Sequence, residues 1–140
     1  MPRPAYYLSL AKAVSLASKD GTQVGAILVG EGGALRATGY NGPPIGVRDA
    51  PERFERPTKY LYASHAEMNI IAFCARAGVK TEGCALYVTH LPCSICTRLL
   101  IQAGISDVFF GGGSTSIPAE DAEAARAMAA EAGLSFIKLE

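Results

Sequence analysis

CALYVTHLPCSICTRLLIQAGISDVFF, residues 84–110, decides the fold. Cys84 to Thr89 is a short apolar run rich in β-formers and reads as a strand. Ile95 to Ala103 has helical spacing and stops at Gly104. Val108 to Phe110 is a second short strand. Two strands joined through a helix imply parallel pairing and helices packed on the sheet. Working outward, Glu67 to Ala77 reads as a helix before this unit. Ala119 to Ala132, Ala-rich and capped by Gly133, reads as a helix after it, followed by a strand at Ser135 to Leu139. GGGST, residues 111–115, reads as a flexible link.

The N-terminal half reads differently. Pro4 to Ala17 is helical, with Tyr7, Leu10, Ala11, Val14 and Ala17 on one stripe. Gln23 to Val29 and Leu35 to Tyr40, separated by Gly-Glu-Gly-Gly, form a hairpin, so the sheet is expected to be mixed. Residues 41–62 are rich in Pro, Gly and charge and read as a long structured loop, a length often tied to function. With 140 residues, 49% hydrophobic, and no repeat or domain-sized linker, a single domain over residues 1–140 is expected.

Lys plus Arg and Asp plus Glu balance at 13 each. A nucleic-acid partner gripped through its phosphates usually needs a basic face, so none is expected, whereas one phosphate on a small molecule needs only a local cation. No apolar run approaches the roughly 20 residues of a membrane span. The N-terminus lacks a secretory pattern, so the expected location is cytoplasmic. There Cys74, Cys84, Cys93 and Cys96 stay reduced. Cys74 and Cys84 lack ligand spacing and read as small buried hydrophobes.

Pro92-Cys93-Ser94-Ile95-Cys96 lies between a strand and a helix, where the helix dipole and free N–H groups favour thiolates. Taken alone, this spacing fits metal binding, redox chemistry or a buried pair. His65-Ala66-Glu67 also enters a helix; by itself it fits a packed histidine and a dipole-complementing glutamate. Together they offer one imidazole and two thiolates. Three ligands leave a fourth position for water, the arrangement of a catalytic zinc site. Glu67, two residues from His65, is then placed to move the water's proton. The order H-x-E…P-C-x-x-C matches the zinc deaminase signature.

The wider chain resembles the deoxycytidylate deaminase family. SKDGTQVGAILV, GYNGPPIG, PTKYLYASHAEMN, YVTHLPCSIC, IQAGISDVFF and EAARAMAAEAGLSF resemble that family's blocks in its order, over nearly the full length. The resemblance implies a three-layer α/β/α cytidine-deaminase fold around a five-stranded mixed sheet. It implies zinc on His65, Cys93 and Cys96, with Glu67 as proton shuttle. It implies that Asn41 binds the sugar hydroxyl, and that the N–H of Ala66 and the carbonyl of Leu91 hold the pyrimidine and its amino group. Lys19, Arg56 and Lys59 are candidate phosphate partners, and His90 a loop or supporting residue. The implied reaction is hydrolysis of dCMP to dUMP and ammonia, which supplies dUMP for thymidylate synthesis. A homo-oligomer, a hexamer, is implied, as is tuning by dCTP and dTTP through the 41–62 loop.

Two features depart from the family pattern. Some members carry extra Cys or His before the HAE motif and bind a second zinc; residues 41–62 hold neither, so one zinc per chain is expected. Many members carry a Tyr over the substrate after the fourth strand, where this chain has GGGSTSIP, an opening for a substituted cytosine. Three rival readings stand beside this one: a deaminase of bases in tRNA or single-stranded nucleic acid, a riboflavin-pathway deaminase, and a zinc-stabilised binding module. The neutral charge opposes the first. The absence of a fused reductase opposes the second, and the presence of Glu67 the third.

Overall fold

The alternation of side chains along three short apolar strands builds the centre of the molecule. A computed structural model describes residues 3–140. Its elements are α1 (Arg3–Ser15), β1 (Gly25–Val29), β2 (Leu35–Tyr40), α2 (Lys59–Tyr62), α3 (Ala66–Ala77), β3 (Ala85–His90), α4 (Ser94–Gln102), β4 (Asp107–Gly113), α5 (Ala119–Ala132) and β5 (Ser135–Lys138). The five strands form one sheet in the order β2-β1-β3-β4-β5. β1 runs antiparallel to both β2 and β3, while β3, β4 and β5 are parallel. The sheet is therefore mixed, as the change from hairpin to strand–helix–strand units requires.

Successive residues of a strand face opposite sides. Ala26 and Leu28, Leu86 and Val88, and Val108 and Phe110 face the core beneath α3, α4 and α5, together with Ile70, Cys74, Cys84 and Leu100. Ile27, Val29 and Tyr87 face the other way, against Tyr7 and Ala11 of α1. Every residue of β1 is buried, as expected for a strand covered on both sides. Tyr7, Tyr87 and Phe109 continue this second layer as a run of rings, with Tyr87 and Phe109 stacked at 4.5 Å. Helices thus cover both faces, giving the three expected layers.

Two glycines set how closely helix and sheet approach. A Cβ on Gly25 would lie 2.2 Å from the carbonyl oxygen of Ala11 in α1. A Cβ on Gly39 would lie 2.7 Å from Ile70 and 2.8 Å from the carbonyl oxygen of Ala66 in α3. Gly39 therefore lets the first turn of α3 press against β2.

The observed elements differ from the sequence reading in places. α1 ends at Ser15, so Ala17 lies in the following turn and Leu8 is buried instead. The 41–62 loop contains a 3₁₀ turn at Pro51–Phe54 as well as α2. The glycines of GGGST are not a flexible link: β4 continues through Gly113, which pairs with His90 of β3. Close packing explains the glycines, since a Cβ on Gly111 would lie 2.9 Å from the Thr89 carbonyl and one on Gly113 would lie 2.5 Å from the His90 ring. No helix among the described residues is long and apolar enough to cross a membrane.

Candidate active site

The loop between β2 and α3 is closed at its base. Gly42 and Ser64 exchange backbone hydrogen bonds of 3.0 and 2.8 Å, which brings Asn41 and His65 to the same end of the sheet. Asn69 of α3 reinforces this by donating to the Tyr40 carbonyl at 2.7 Å. His65 is the N-cap of α3 and Cys93 is the N-cap of α4, so two helix starts converge on one point. Their positive ends favour negative groups between them.

Three side-chain atoms meet there. His65 Nδ1 lies 3.5 Å from Cys93 Sγ and 3.3 Å from Cys96 Sγ. Zinc bonds of about 2.3 Å to sulfur and 2.0–2.1 Å to nitrogen, at tetrahedral angles, place such atoms about 3.6 Å apart. All three atoms fall within 4.8 Å of one another, so the donor set fits one zinc ion. Cys93 and Cys96 are buried, and Cys93 Sγ also accepts the Cys96 backbone N–H. Thr97 Oγ1 donates to the Cys93 carbonyl at 2.8 Å and steadies the turn.

The thiols share a proton unequally. A hydrogen bond from the Cys96 thiol holds Cys93 down at about 4, with His65 assisting. Cys96 is pushed up, first by that same bond and then by burial and the Glu67 charge. His65 is raised, chiefly through its hydrogen bond with Cys93. Glu67 is only 4% exposed, and its carboxyl is raised mainly by burial, which favours the proton-bearing form. A carboxyl moved from its ordinary value toward neutrality beside three ligand atoms is suited to proton transfer.

The site opens into a cavity of about 320 Å³. Its wall includes His65, Ala66, Glu67 and Cys93, with Asn41, Leu91 and His90. The sequence-selected residues Asn41, Ala66, Leu91, Arg56 and Lys59 all reach it. Lys19 is not part of its lining: it is exposed and its ammonium pairs with Asp49 at 2.6 Å. Asn41 uses its side chain on the backbone, accepting from Val24 N–H and donating to the Thr22 carbonyl, both at 2.9 Å. One amide hydrogen of Asn41 is left over for the cavity. Cys74 and Cys84 are buried in the core, away from the cavity lining.

Several lining residues had no signal of their own. Asp20 is 5% exposed and accepts from the Thr22 N–H at 2.9 Å and from Lys59 Nζ at 3.0 Å. Thr115, Ser116 and Ile117 supply the outer wall, and Asp121 of α5 reaches the same cavity. Thr89 Oγ1 accepts the Gly25 N–H at 3.1 Å and lies 2.6 Å from His90 Nδ1. This contact fixes the orientation of the His90 ring. Burial lowers its pKa.

Residues 1–112 match the family model described as the cytidine and deoxycytidylate deaminase zinc-binding region. The chain belongs to this deaminase family. The deoxycytidylate deaminase of Homo sapiens is 37% identical over 142 aligned positions, covering 96% of this chain and 78% of its own length. A probable deoxycytidylate deaminase of Caenorhabditis elegans is 40% identical over 109 residues, covering 74% of this chain and 54% of its own. Among solved structures, the dCMP deaminase of cyanophage S-TIM5, crystallised with dCMP and dUMP, superposes with a TM-score of 0.78 at 25% identity. That match covers 96% of this chain and 95% of the phage enzyme. The family match and the fold thus agree with the expected deaminase fold, and the His65, Cys93 and Cys96 group agrees with the expected single zinc.

Proposed function

We propose that the chain hydrolyses dCMP to dUMP and ammonia, supplying dUMP for thymidylate synthesis. The observation that carries this reading is the buried Glu67 carboxyl beside the His65, Cys93 and Cys96 donor atoms, on the wall of a nucleotide-sized cavity. Zinc held by those three residues supplies the charge that lets water lose a proton near neutral pH. Glu67 takes the first proton of that water and places it on the ring nitrogen as the water oxygen bonds to the amino-bearing carbon; it then takes the second proton, from the hydroxyl now on that carbon, and gives it to the amine, so that the carbon–nitrogen bond breaks, ammonia leaves and a carbonyl remains. The Ala66 N–H and the Leu91 carbonyl orient the pyrimidine. Asn41 offers its free amide hydrogen to the sugar hydroxyl.

For the phosphate, Arg56 lines the cavity and is the better candidate; Lys59 lines it too but its ammonium is held by Asp20 at 3.0 Å, and Lys19 is engaged by Asp49 outside it. The deoxycytidylate deaminases among the relatives, and the phage enzyme with its nucleotides, support a monophosphate substrate. A 5-substituted dCMP is a second substrate class: Thr115, Ser116 and Ile117 line the cavity with no aromatic side chain, and the aromatic ring in its lining, Tyr60, comes instead from α2.

The proposal includes a homohexamer in the cytoplasm. In its support, Tyr40, Ile45 and Phe73 are exposed around an apolar groove of about 660 Å³ beside β2 and α3. It also includes regulation by dCTP and dTTP through the 41–62 loop, which connects Asn41 to His65; a regulatory ligand acts by binding two states unequally. The test is ammonia release from dCMP, dCTP, deoxycytidine and CMP side by side. Each is measured with and without dCTP or dTTP as a second ligand. Turnover confined to deoxycytidine, or to none of the four, overturns the dCMP assignment. Rate curves unchanged by the triphosphates overturn the regulation.

A further inference from the structure

Asp121 stands in the first turn of α5, whose N-cap Pro118 provides no side-chain cap, yet its carboxylate bonds outside its own helix. It reaches across to α4. Asp121 Oδ1 accepts the Ser94 backbone N–H at 2.8 Å, and Oδ2 accepts the Ser94 hydroxyl at 2.8 Å. Ser94 opens α4, directly after Cys93 and two residues before Cys96. The first N–H groups of a helix have no partner within it and favour a negative group. Here that group comes from another element. Asp121 is also on the cavity wall, four residues after Ile117 of the Thr115–Ile117 segment that lines the same cavity, and its charge acts on His65.

We propose that Asp121 is a positioning residue: its two-point grip on Ser94 fixes the turn that carries both cysteine ligands and ties it to the outer wall of the substrate cavity. The positions of Cys93 Sγ and Cys96 Sγ follow from the backbone of residues 93–96, and within that turn the Cys96 N–H is already given to Cys93 Sγ. The Ser94 N–H is the first donor of that turn, and Asp121 holds it. Groups that orient metal ligands through hydrogen bonds typically change metal affinity about 10–100-fold when removed. The same grip anchors the first turn of α5, and with it the point where the 115–117 segment enters that helix.

This inference rests on zinc occupying the His65, Cys93 and Cys96 cluster, and the test does not need the substrate. Zinc-loaded parent, Asp121→Ala, Asp121→Asn and Ser94→Ala proteins are mixed with a chromogenic chelator and the rate of zinc release is followed. Hydrogen exchange over residues 113–118 is measured in parallel, and KM and kcat are taken for dCMP. Asn keeps the two-point geometry without the charge, its carbonyl accepting the Ser94 N–H and its amide donating to the Ser94 hydroxyl. Asp121→Ala is expected to release zinc about tenfold faster, with faster exchange at 113–118 and a rise in KM larger than the fall in kcat. Asp121→Asn is expected to stay within about threefold of the parent, the rescue that geometry predicts. Zinc release from Asp121→Ala at the parent rate overturns the proposal. So does an Asp121→Asn protein as impaired as Asp121→Ala, which would assign the effect to charge and not to the grip. If Asp121→Ala does not fold, Ser94→Ala decides: it loses only the hydroxyl bond, and release no faster than the parent overturns the proposal. Absence of dCMP turnover in the parent would strike the substrate assignment alone.

Discussion

Replacing Lys59 with Met tests the polar frame under the cavity. Asp20 has a side chain only 2% exposed, and Lys59 one 12% exposed, so the pair is largely withdrawn from water. The carboxylate keeps one other partner, the Thr22 N–H. The Asp20 N–H in turn donates to Ser18 Oγ at 3.2 Å, and Ser18 donates to the Asn41 carbonyl at 2.9 Å. Removing one member of a buried pair typically costs about 3–5 kcal/mol, because the other charge is stranded. The retained Thr22 bond and the open cavity beside Asp20 favour the lower end, about 3 kcal/mol. For a chain of 140 residues, an unfolding entropy of about 2.1 cal/mol/K per residue converts this to a fall in Tm of about 10 °C. Neutralising the partner as well, in Asp20→Asn with Lys59→Met, should recover about 2 kcal/mol, since no charge is left buried. Urea denaturation of the parent, both single variants and the double variant, at fixed protein and zinc concentration, gives the cycle. A Lys59→Met cost below about 1 kcal/mol, or a double variant equal to the sum of the singles, would refute the reasoning.

Further outcomes follow from other parts of the structure. Metal analysis should find one zinc per chain, lost in His65→Ala and in Cys96→Ser; two equivalents in the parent would contradict the three-ligand site. Gly39→Ala places a methyl 2.7 Å from Ile70 and 2.8 Å from the Ala66 carbonyl, and should cost about 2–3 kcal/mol in denaturation while weakening zinc retention. His90 sits below its ordinary value of 6.5 because of burial. The unfolded chain therefore takes the proton first as pH falls. The associated stability is present above that ordinary value and lost as pH falls through the lower folded one. A pH series of denaturation curves should show this step in the parent and its absence in His90→Gln. Light scattering at micromolar concentration should give a hexamer; a monomer would reject the assembly.

Much of this site was legible because its chemistry is local in sequence. His65 and Glu67 share a helix entry, Cys93 and Cys96 share another, and β3 to β4 is a contiguous strand–helix–strand unit. The residues that were not legible act across long separations. Asp121 bonds Ser94 from 27 positions away, and Lys59 meets Asp20 from 39. No spacing rule connects such pairs, because their contact is set by the packing of α5 on α4 and by the closure of the 41–64 segment. Lys19 illustrates the converse. Its place beside the SKDG turn suggested the phosphate, but the turn buries Asp20 and sends Lys19 outward to Asp49. Gly111–Gly113 carry a flexible composition yet extend β4 along β3; they are glycines because the neighbouring Thr89 backbone and His90 ring leave no space for a Cβ.

The central claim is that this chain removes the amino group of dCMP through zinc at His65, Cys93 and Cys96 and proton transfer by Glu67. Single-enzyme product analysis of zinc-loaded parent and Glu67→Gln proteins tests it most directly, with dUMP and ammonia quantified against zinc content. Equal amounts of dUMP and ammonia are expected from the parent. The Glu67→Gln protein should keep its zinc and fold yet be slower by at least about 10²–10⁴-fold. A parent that yields no dUMP, or a zinc-replete Glu67→Gln protein turning over within a few-fold of it, would rule out this reaction or this role for Glu67.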